Sequence, residues 1–483
     1  MGLCGWGQPY RPSRRKGQKA STNLLLFSLS PPCPESYENH HKSTLKFLCL
    51  HHATPLEDKL PQQLKPLPPD PPSSCLKSIA IRISLSLSFS SCSASVKATQ
   101  KPNPSTPLTA MDAETLLIPG LPEEVARECI VRVHRHAFPA ARSVCKLWRR
   151  ELDSPAFHRL RRLVGLARPL IAVAQIERPR GNNASKAIRY CLAFYEPHSG
   201  EWSSPPPVPG GRLPLFCQIA GAGRELVVVG GWEPATWIAT DSVYIYDVAT
   251  GEWRRGARMP GPRRSFFACA TSPDGRTVYV AGGHDEEKNA LRSALAYDVA
   301  RDEWVRLPDM SVERDECGGV FRRGAFHVIG GYPTDVQGQF VKSSEAFDLA
   351  SGRWAPTEEH TMGTTGMSPR GVIAGPGGRL FRCAEGHVEV LEREEAEGEG
   401  PTWRKVAEIP DSGDGKQVVA PCLVCWPGDA NKLTLIGSSR HGGSPPAGYT
   451  LELRAGGEVT WAKETAPPEE YAGHVQAACC LEI

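Results

Sequence analysis

The sequence has no long apolar run. Nowhere in its 483 residues does a stretch approach the roughly 18 consecutive apolar residues that a membrane helix needs, so a soluble protein with no membrane attachment is expected. It also lacks a dominant charge. Lys and Arg (56) nearly balance Asp and Glu (53), and the resulting +3 is too mild to hold nucleic acid or an anionic membrane by its field alone. No secretory leader precedes the 16 cysteines, which therefore read as reduced thiols of a cytoplasmic or nuclear protein. Paired zinc-ligand spacing is missing as well. Cys422 and Cys425 form a lone CxxC in an apolar strand, where residues three apart point to opposite faces; Cys49, His51 and His52 read as solvated polar groups. No glycine-rich loop opens a helix, since "GPGGRL" sits between strands and reads as a turn. No cofactor, metal or nucleic-acid partner is expected.

What is present is ordinary globular composition, 40% hydrophobic and 23% charged, in a chain longer than the roughly 250 to 300 residues at which single cores stop growing. More than one folded unit is expected, in three zones. Residues 1 to 110 are rich in Ser, Pro and Lys without any sustained period, and read as a disordered extension. Their acid-poor character is compatible with a transit segment. Met111, opening "MDAETLLIPGLPEEV", favours instead a mistaken start or a dispensable extension.

Residues 111 to 165 read as helical. Pro122 suits a first helical position, Glu123 and Glu124 favour the positive end of the macrodipole, and Val125, Cys129, Ile130 and Val133 share an apolar face. "AFPA" is expected to break the helix. A second then carries Val144, Leu147, Trp148 and Leu152 on one side, and a third starts with Ser154 as N-cap and Pro155 next. So small a unit buries little on its own; it either keeps an apolar face for a partner or seals the domain that follows. The basic run Arg159, Arg161 and Arg162 reads as a solvated helix face.

These residues resemble the F-box: the Leu121-Pro122 start, Val125 and Ile130, and above all "SVCKLWRRELDSPAF", which matches a V-C-x-x-W core at Val144, Cys145 and Trp148. The resemblance implies binding to the Skp1 adaptor of cullin-1 ubiquitin ligases through Leu121, Pro122, Val125, Ile130, Val144 and Trp148, with some of these serving as internal core.

From residue 166 to 483 a repeat governs the chain. Trp202, Trp253, Trp304, Trp354 and Trp403 recur about every 50 residues, with Trp461 after a longer gap, the period of kelch-type propeller blades. "LVVVGG", "VYVAGG" and "FHVIGG" end at Gly231, Gly283 and Gly331, and "YIYDVATGEW" and "LAYDVARDEW" supply the outer strands. An all-β kelch propeller of about six blades is expected. Its glycines allow close backbone approach, its Tyr and Trp fill space between sheets, and Asp247 and Asp298 accept backbone hydrogen bonds in the following turns. The fifth and sixth units depart from the pattern and are assigned by spacing. The first supplies three strands, and "HVQAACCLEI" at the C-terminus is expected to provide the fourth and close the ring.

Alternating strand direction puts the loop after each glycine doublet and the loop between blades on one face. That face is expected to bind a protein substrate through Trp232, Trp237, Arg264, His284, Arg314, Tyr332 and Arg370. For the arginines, intramolecular salt bridges are an equal alternative. Galactose-oxidase-like copper enzymes share the kelch architecture, but His198, His284, His327, His360, His387, His441 and His474 recur in no ligand cluster, so a non-catalytic protein is expected.

An F-box followed by kelch repeats resembles a plant F-box/kelch-repeat protein, which implies the substrate receptor of an SCF ubiquitin ligase. "LIPGLPEEVARECIVRV", "MPGPRRSFFACA" and "RDECGGVF" resemble the subfamily implicated in turnover of phenylalanine ammonia-lyase and, in some members, of type-B cytokinin response regulators. That likeness implies control of phenylpropanoid biosynthesis. A kelch scaffold outside any ligase is the competing class.

Overall fold

The computed structural model describes residues 116–177, 189–359, 361–362, 368–392, 402–411, 418–427, 429, 431–438, 448–454 and 457–483. The extension expected at residues 1 to 110, and Met111, lie outside them, as do His360 and His441.

Four α-helices come first: α1 (Glu123–Val131), α2 (Phe138–Val144), α3 (Lys146–Asp153) and α4 (Pro155–Leu163). Pro122 stands as the N-cap of α1, one residue before the expected position. "AFPA" does not merely break a helix; Pro139 sits in the first turn of α2, where its missing N–H costs nothing. Cys145 is extended and its Sγ accepts from the Trp148 N–H at 3.4 Å, so Val144 and Trp148, expected on one helix, belong to two. Ser154 caps α4 as expected, its Oγ accepting from Phe157 N at 3.1 Å.

The helices have no core of their own. Ile130, Phe138, Leu152 and Phe157 share one buried cluster with Leu170, Phe194, Tyr246 and Leu481 of the strands that follow.

Those strands form six four-stranded antiparallel sheets. Blade 1 contains β1 (Pro169–Ile176), β2 (Tyr190–Glu196) and β3 (Glu201–Ser203). Blade 2 is β4 (Gln218–Ala222), β5 (Glu225–Val229), β6 (Val243–Asp247) and β7 (Glu252–Gly256); blade 3 is β8 (Ala268–Thr271), β9 (Thr277–Ala281), β10 (Ala294–Asp298) and β11 (Glu303–Leu307). Blade 4 is β12 (Gly318–Arg322), β13 (Ala325–Ile329), β14 (Ser344–Asp348) and β15 (Arg353–Trp354); blade 5 is β16 (Ile373–Ala374), β17 (Leu380–Ala384), β18 (His387–Glu392) and β19 (Thr402–Glu408). Blade 6 is β20 (Val419–Cys425), β21 (Lys432–Ser438), β22 (Gly448–Leu453) and β23 (Val459–Lys463), and β24 (Val475–Glu482) ends the chain. β24 pairs with β1, matching Leu170 with Leu481 and Val173 with Ala478, and so completes blade 1 as its inner strand. The inner strands β24, β4, β8, β12, β16 and β20 then touch in a closed ring, which leaves no free edge between the first and last blades.

The fifty-residue tryptophan period has a direct cause in hydrogen bonding. The indole N–H of four outer-strand tryptophans donates to a carbonyl of the connection leaving the preceding blade: Trp253 to Pro206 (2.7 Å), Trp304 to Ala257 (2.8 Å), Trp354 to Pro308 (2.7 Å) and Trp403 to Thr361 (3.0 Å). Trp202 reaches Thr465 at 3.3 Å and joins blade 1 to blade 6. Asp247, Asp298 and Asp348 accept from backbone N–H groups two residues on, as expected for the turns they precede. The glycine doublet is required by space as well as by dihedral: Gly231 has φ of 93°, and a Cβ there would stand 2.5 Å from the Leu215 carbonyl oxygen.

Candidate functional site: two opposite faces of the propeller

The strand directions place turns such as 223–224 and 248–251 on one face and the loops 230–242, 282–293 and 330–343 on the other. The helices dock on the turn face. Arg135 bonds Glu196 at the end of β2 at 3.0 Å with both side chains buried, and Arg224, between β4 and β5, donates to Asp247 at 2.8 Å while lying 3.1 Å from His158 Nε2. Burial, then the charge of Arg224, holds the His158 imidazole down at about 4. Arg162, expected in a solvated run, reaches Glu482 at 2.5 Å. Arg161 is a correction to that run: it is buried, its guanidinium donates to the carbonyls of Val131, Val133 and Leu166, and it lies between Phe138 and Phe157.

The six residues assigned to adaptor binding divide by accessibility. Val125 is 46% exposed and Val144 62%, Pro122 is exposed and Leu121 half-buried. Ile130 is buried in the shared core, and Trp148 is half-buried with its Nε1 donating to Leu117 O at 2.6 Å, so both act inside the fold. His136, Glu196 and Glu201 form a group of metal-ligating type at this junction, but Glu196 is already held by Arg135.

On the loop face, side chains from several blades converge at the mouth of the central channel. The residue two positions into each inter-blade entry, Phe216, Phe266 and Glu316, takes a left-handed φ of 55°, 56° and 50°, a strained conformation for any residue but glycine. Beyond each glycine doublet a single bridge pair extends the ladder, Leu215 with Trp232, Ser265 with His284 and Asp315 with Tyr332. The result is an aromatic floor. Phe216 stacks on Phe266 at 5.1 Å and meets Trp232 edge-on at 5.1 Å; Trp237 lies 6.1 Å from Trp232, and Tyr190 5.9 Å from Phe216.

Charges sit within this floor. His284 Nδ1 lies 2.9 Å from both Asp315 oxygens, which leaves Nε2 to accept from Lys288 Nζ at 3.2 Å. Lys288 lies 4.2 Å from the Trp232 ring centre, and burial lowers its ammonium to about 8. Tyr332 donates to Glu316 at 3.0 Å, while burial pushes the Glu316 carboxyl above the usual range. The Arg370 guanidinium lies 4.8 Å from the Phe266 ring centre, and burial lowers its pKa against the opposing influence of nearby Glu316.

For Arg264 and Arg314 the structure favours the intramolecular alternative over a role at the loop-face surface. They are 1% and 0% exposed and point into their own blades. Arg314 bonds Gly330 O (2.8 Å), Ser343 O (3.1 Å), Ser343 Oγ (3.0 Å) and Glu345 (3.1 Å); Arg264 bonds the equivalent Gly282 and Ser293. Trp232, His284 and Tyr332 are likewise buried and shape the mouth from beneath, whereas Trp237 and Arg370 are half-buried and reach it. Phe216, Phe266, Lys288 and Glu316 were missed. The fifty-residue spacing of Phe216, Phe266 and Glu316 ahead of β4, β8 and β12 was the available signal; Lys288 stands outside it, in the loop between β9 and β10.

Among proteins of known family, the Kelch motif matches residues 216–260 and 263–311. The chain is 42% identical over 377 residues to F-box/kelch-repeat protein At1g15670 of Arabidopsis thaliana, covering 76% of this chain and 99% of that one. It is 41% identical to F-box/kelch-repeat protein At1g80440 of the same plant over 76% and 99% of the two chains, and 37% identical to F-box/kelch-repeat protein SKIP20 over 53% and 70%.

Proposed function

The chain belongs to the plant F-box/kelch-repeat family, and from that premise we propose that it is the substrate receptor of an SCF ubiquitin ligase. The observation that supports this reading is that the helices carrying the F-box resemblance pack on the turn face of the propeller, away from the loops 230–242, 282–293 and 330–343. On the turn face, Leu121, Pro122, Val125 and Val144 offer an apolar patch to a Skp1-type adaptor and through it to cullin-1. At the other end, the loop-face mouth receives a protein destined for ubiquitination and proteasomal degradation. Bond-making belongs to the ligase core; this chain contributes proximity and orientation, in the cytoplasm or nucleus where those partners work.

The subfamily resemblance supports phenylalanine ammonia-lyase as substrate, hence control of phenylpropanoid biosynthesis, with type-B cytokinin response regulators as the next choice. A second reading, a kelch scaffold outside any ligase, is favoured by the core that the helices share with blades 1 and 2, since such helices also seal a propeller. Capture of Skp1 by the full chain separates the two. Wild-type binding that is lost in Val125→Asp and Val144→Asp, with melting unchanged, supports the receptor; no wild-type binding supports the scaffold. Ammonia-lyase added to the same capture tests the substrate.

A further inference from the structure

The loop-face mouth contains an unspent cation. Arg264 and Arg314 give their donors to carbonyls and hydroxyls of their own blades, and Lys288 is engaged by His284 and Trp232. Arg370 differs because the entry to blade 5 is displaced by one residue. Pro369 occupies the place of Arg264 and Arg314, its carbonyl lying where Gly318 makes its close approach, and Arg370 takes the place of Ser265 and Asp315. Its side chain leaves the blade and reaches Phe266 of blade 3. Among the described residues it has no hydrogen bond or ion pair, although burial costs its charge dearly. A desolvated guanidinium held on an aromatic face is prepared for an anion from outside.

Resting on the receptor reading above, we propose that Arg370 anchors a carboxylate of the substrate protein, an Asp or Glu side chain followed by an apolar or aromatic residue in an exposed segment. The planar fork of one guanidinium matches one carboxylate. A phosphate dianion fits less well, because the Asp315 and Glu316 carboxylates share the mouth and the two neighbouring arginines are committed elsewhere. The neighbouring residue meets Phe216 and Phe266, which stack on one another, and Trp237, which lies tilted against Trp232. Left-handed strain at Phe216, Phe266 and Glu316 is what turns these side chains together, and such strain gathers at binding sites.

The probe is a set of fluorescent octapeptide libraries with one fixed central residue, Glu, Asp, Gln or phosphoserine, followed by Phe, the rest being mixed neutral residues. Binding to the full-length chain is read by anisotropy, with Skp1 capture measured in parallel. The Glu or Asp set is expected to bind at least tenfold more tightly than the Gln set. Arg370→Gln should erase that ratio, and Arg370→Lys, which keeps the charge but not the fork, should reduce it at least fivefold. Both variants should still capture Skp1 and melt close to wild type, since among the described residues the guanidinium makes no hydrogen bond or ion pair and only its contact with the Phe266 ring is at stake. Phe216→Ser should weaken acidic peptides carrying Phe more than matched peptides carrying Ser. Equal binding of the Glu and Gln sets, tighter binding of phosphoserine, or an acid preference that survives Arg370→Gln overturns the proposal. Wild-type failure to capture Skp1 would overturn the receptor reading alone, because peptide selectivity is measured without the adaptor.

Discussion

Arg314 Nε donates to the buried Glu345 carboxylate at 3.1 Å, whereas fifty residues earlier the position matching Glu345 is Leu295 and the buried Arg264 Nε has no hydrogen-bond partner among the described residues. Two copies of one repeat thus hold an arginine with and without a counter-ion. Glu345 also accepts from Ser311 N and Oγ at 2.7 Å, so the pair ties β14 to the connection that leaves blade 3.

Removing one partner should reveal the asymmetry. Arg314→Ala leaves the Glu345 charge buried and unpaired and should cost about 3 to 5 kcal/mol. Glu345→Leu, which recreates the blade 3 arrangement, should cost less because Arg314 keeps its three other bonds. Denaturant unfolding of both variants measures this; equal losses would mean that the ion pair itself supplies the stability.

Trp253 is half-buried, not enclosed, so its removal opens less of a void than the repeat pattern alone implied. Trp253→Ala should cost roughly 2 to 3 kcal/mol, below the roughly 3 to 5 kcal/mol of a fully enclosed large aromatic. Trp253→Phe, which keeps a ring but loses the bond to Pro206, should cost about 1 kcal/mol. Equal melting temperatures for wild type and Trp253→Ala would contradict the inter-blade tie.

Deleting residues 472 to 483 takes away β24, the inner strand of blade 1, and opens the ring between β4 and β20. Leu481 and Ile483 leave the core that the helices share. The truncated chain should lose its single cooperative unfolding transition and become protease-sensitive. Wild-type melting would show that blade 1 closes without its last strand.

Acid should weaken the fold through His327 on β13. Burial, with Arg322 next in importance, holds its imidazole at about 4, against about 6.5 in an unfolded chain. The folded state therefore keeps this ring neutral, and the unfolded state binds the extra proton as pH falls from about 6.5 towards 4. Stability is lost across that window and unaffected above it, by roughly 2 kcal/mol at pH 5 for this group. Unfolding of wild type and His327→Gln at pH 7.5 and 5 should show the smaller acid loss in the variant. Parallel losses would assign the acid sensitivity elsewhere, with His158 the next group to test.

Much of this was legible because propeller repeats write their packing locally. An indole that must reach one blade back, a glycine pair that must pass another backbone and an aspartate that must cap a turn each fix a residue type at a fixed interval, and Trp253, Gly231 and Asp247 meet those demands in place. The helix starts at Pro122 and Ser154 were equally local. The arrangement of side chains at the loop-face mouth was not. Trp232, His284 and Arg314 carry the side chains usual at interfaces, yet the structure buries them.

The sequence by itself determined the six-blade architecture, the helical segment ahead of it and the closure by "HVQAACCLEI", because periodicity and turn chemistry act between near neighbours or exact repeats. Only the tertiary structure decided which arginine is free. Arg264, Arg314 and Arg370 look alike along the chain, and a one-residue displacement before blade 5, together with rings supplied by blades far away in sequence, turns the third towards the channel mouth while the first two are consumed within their blades.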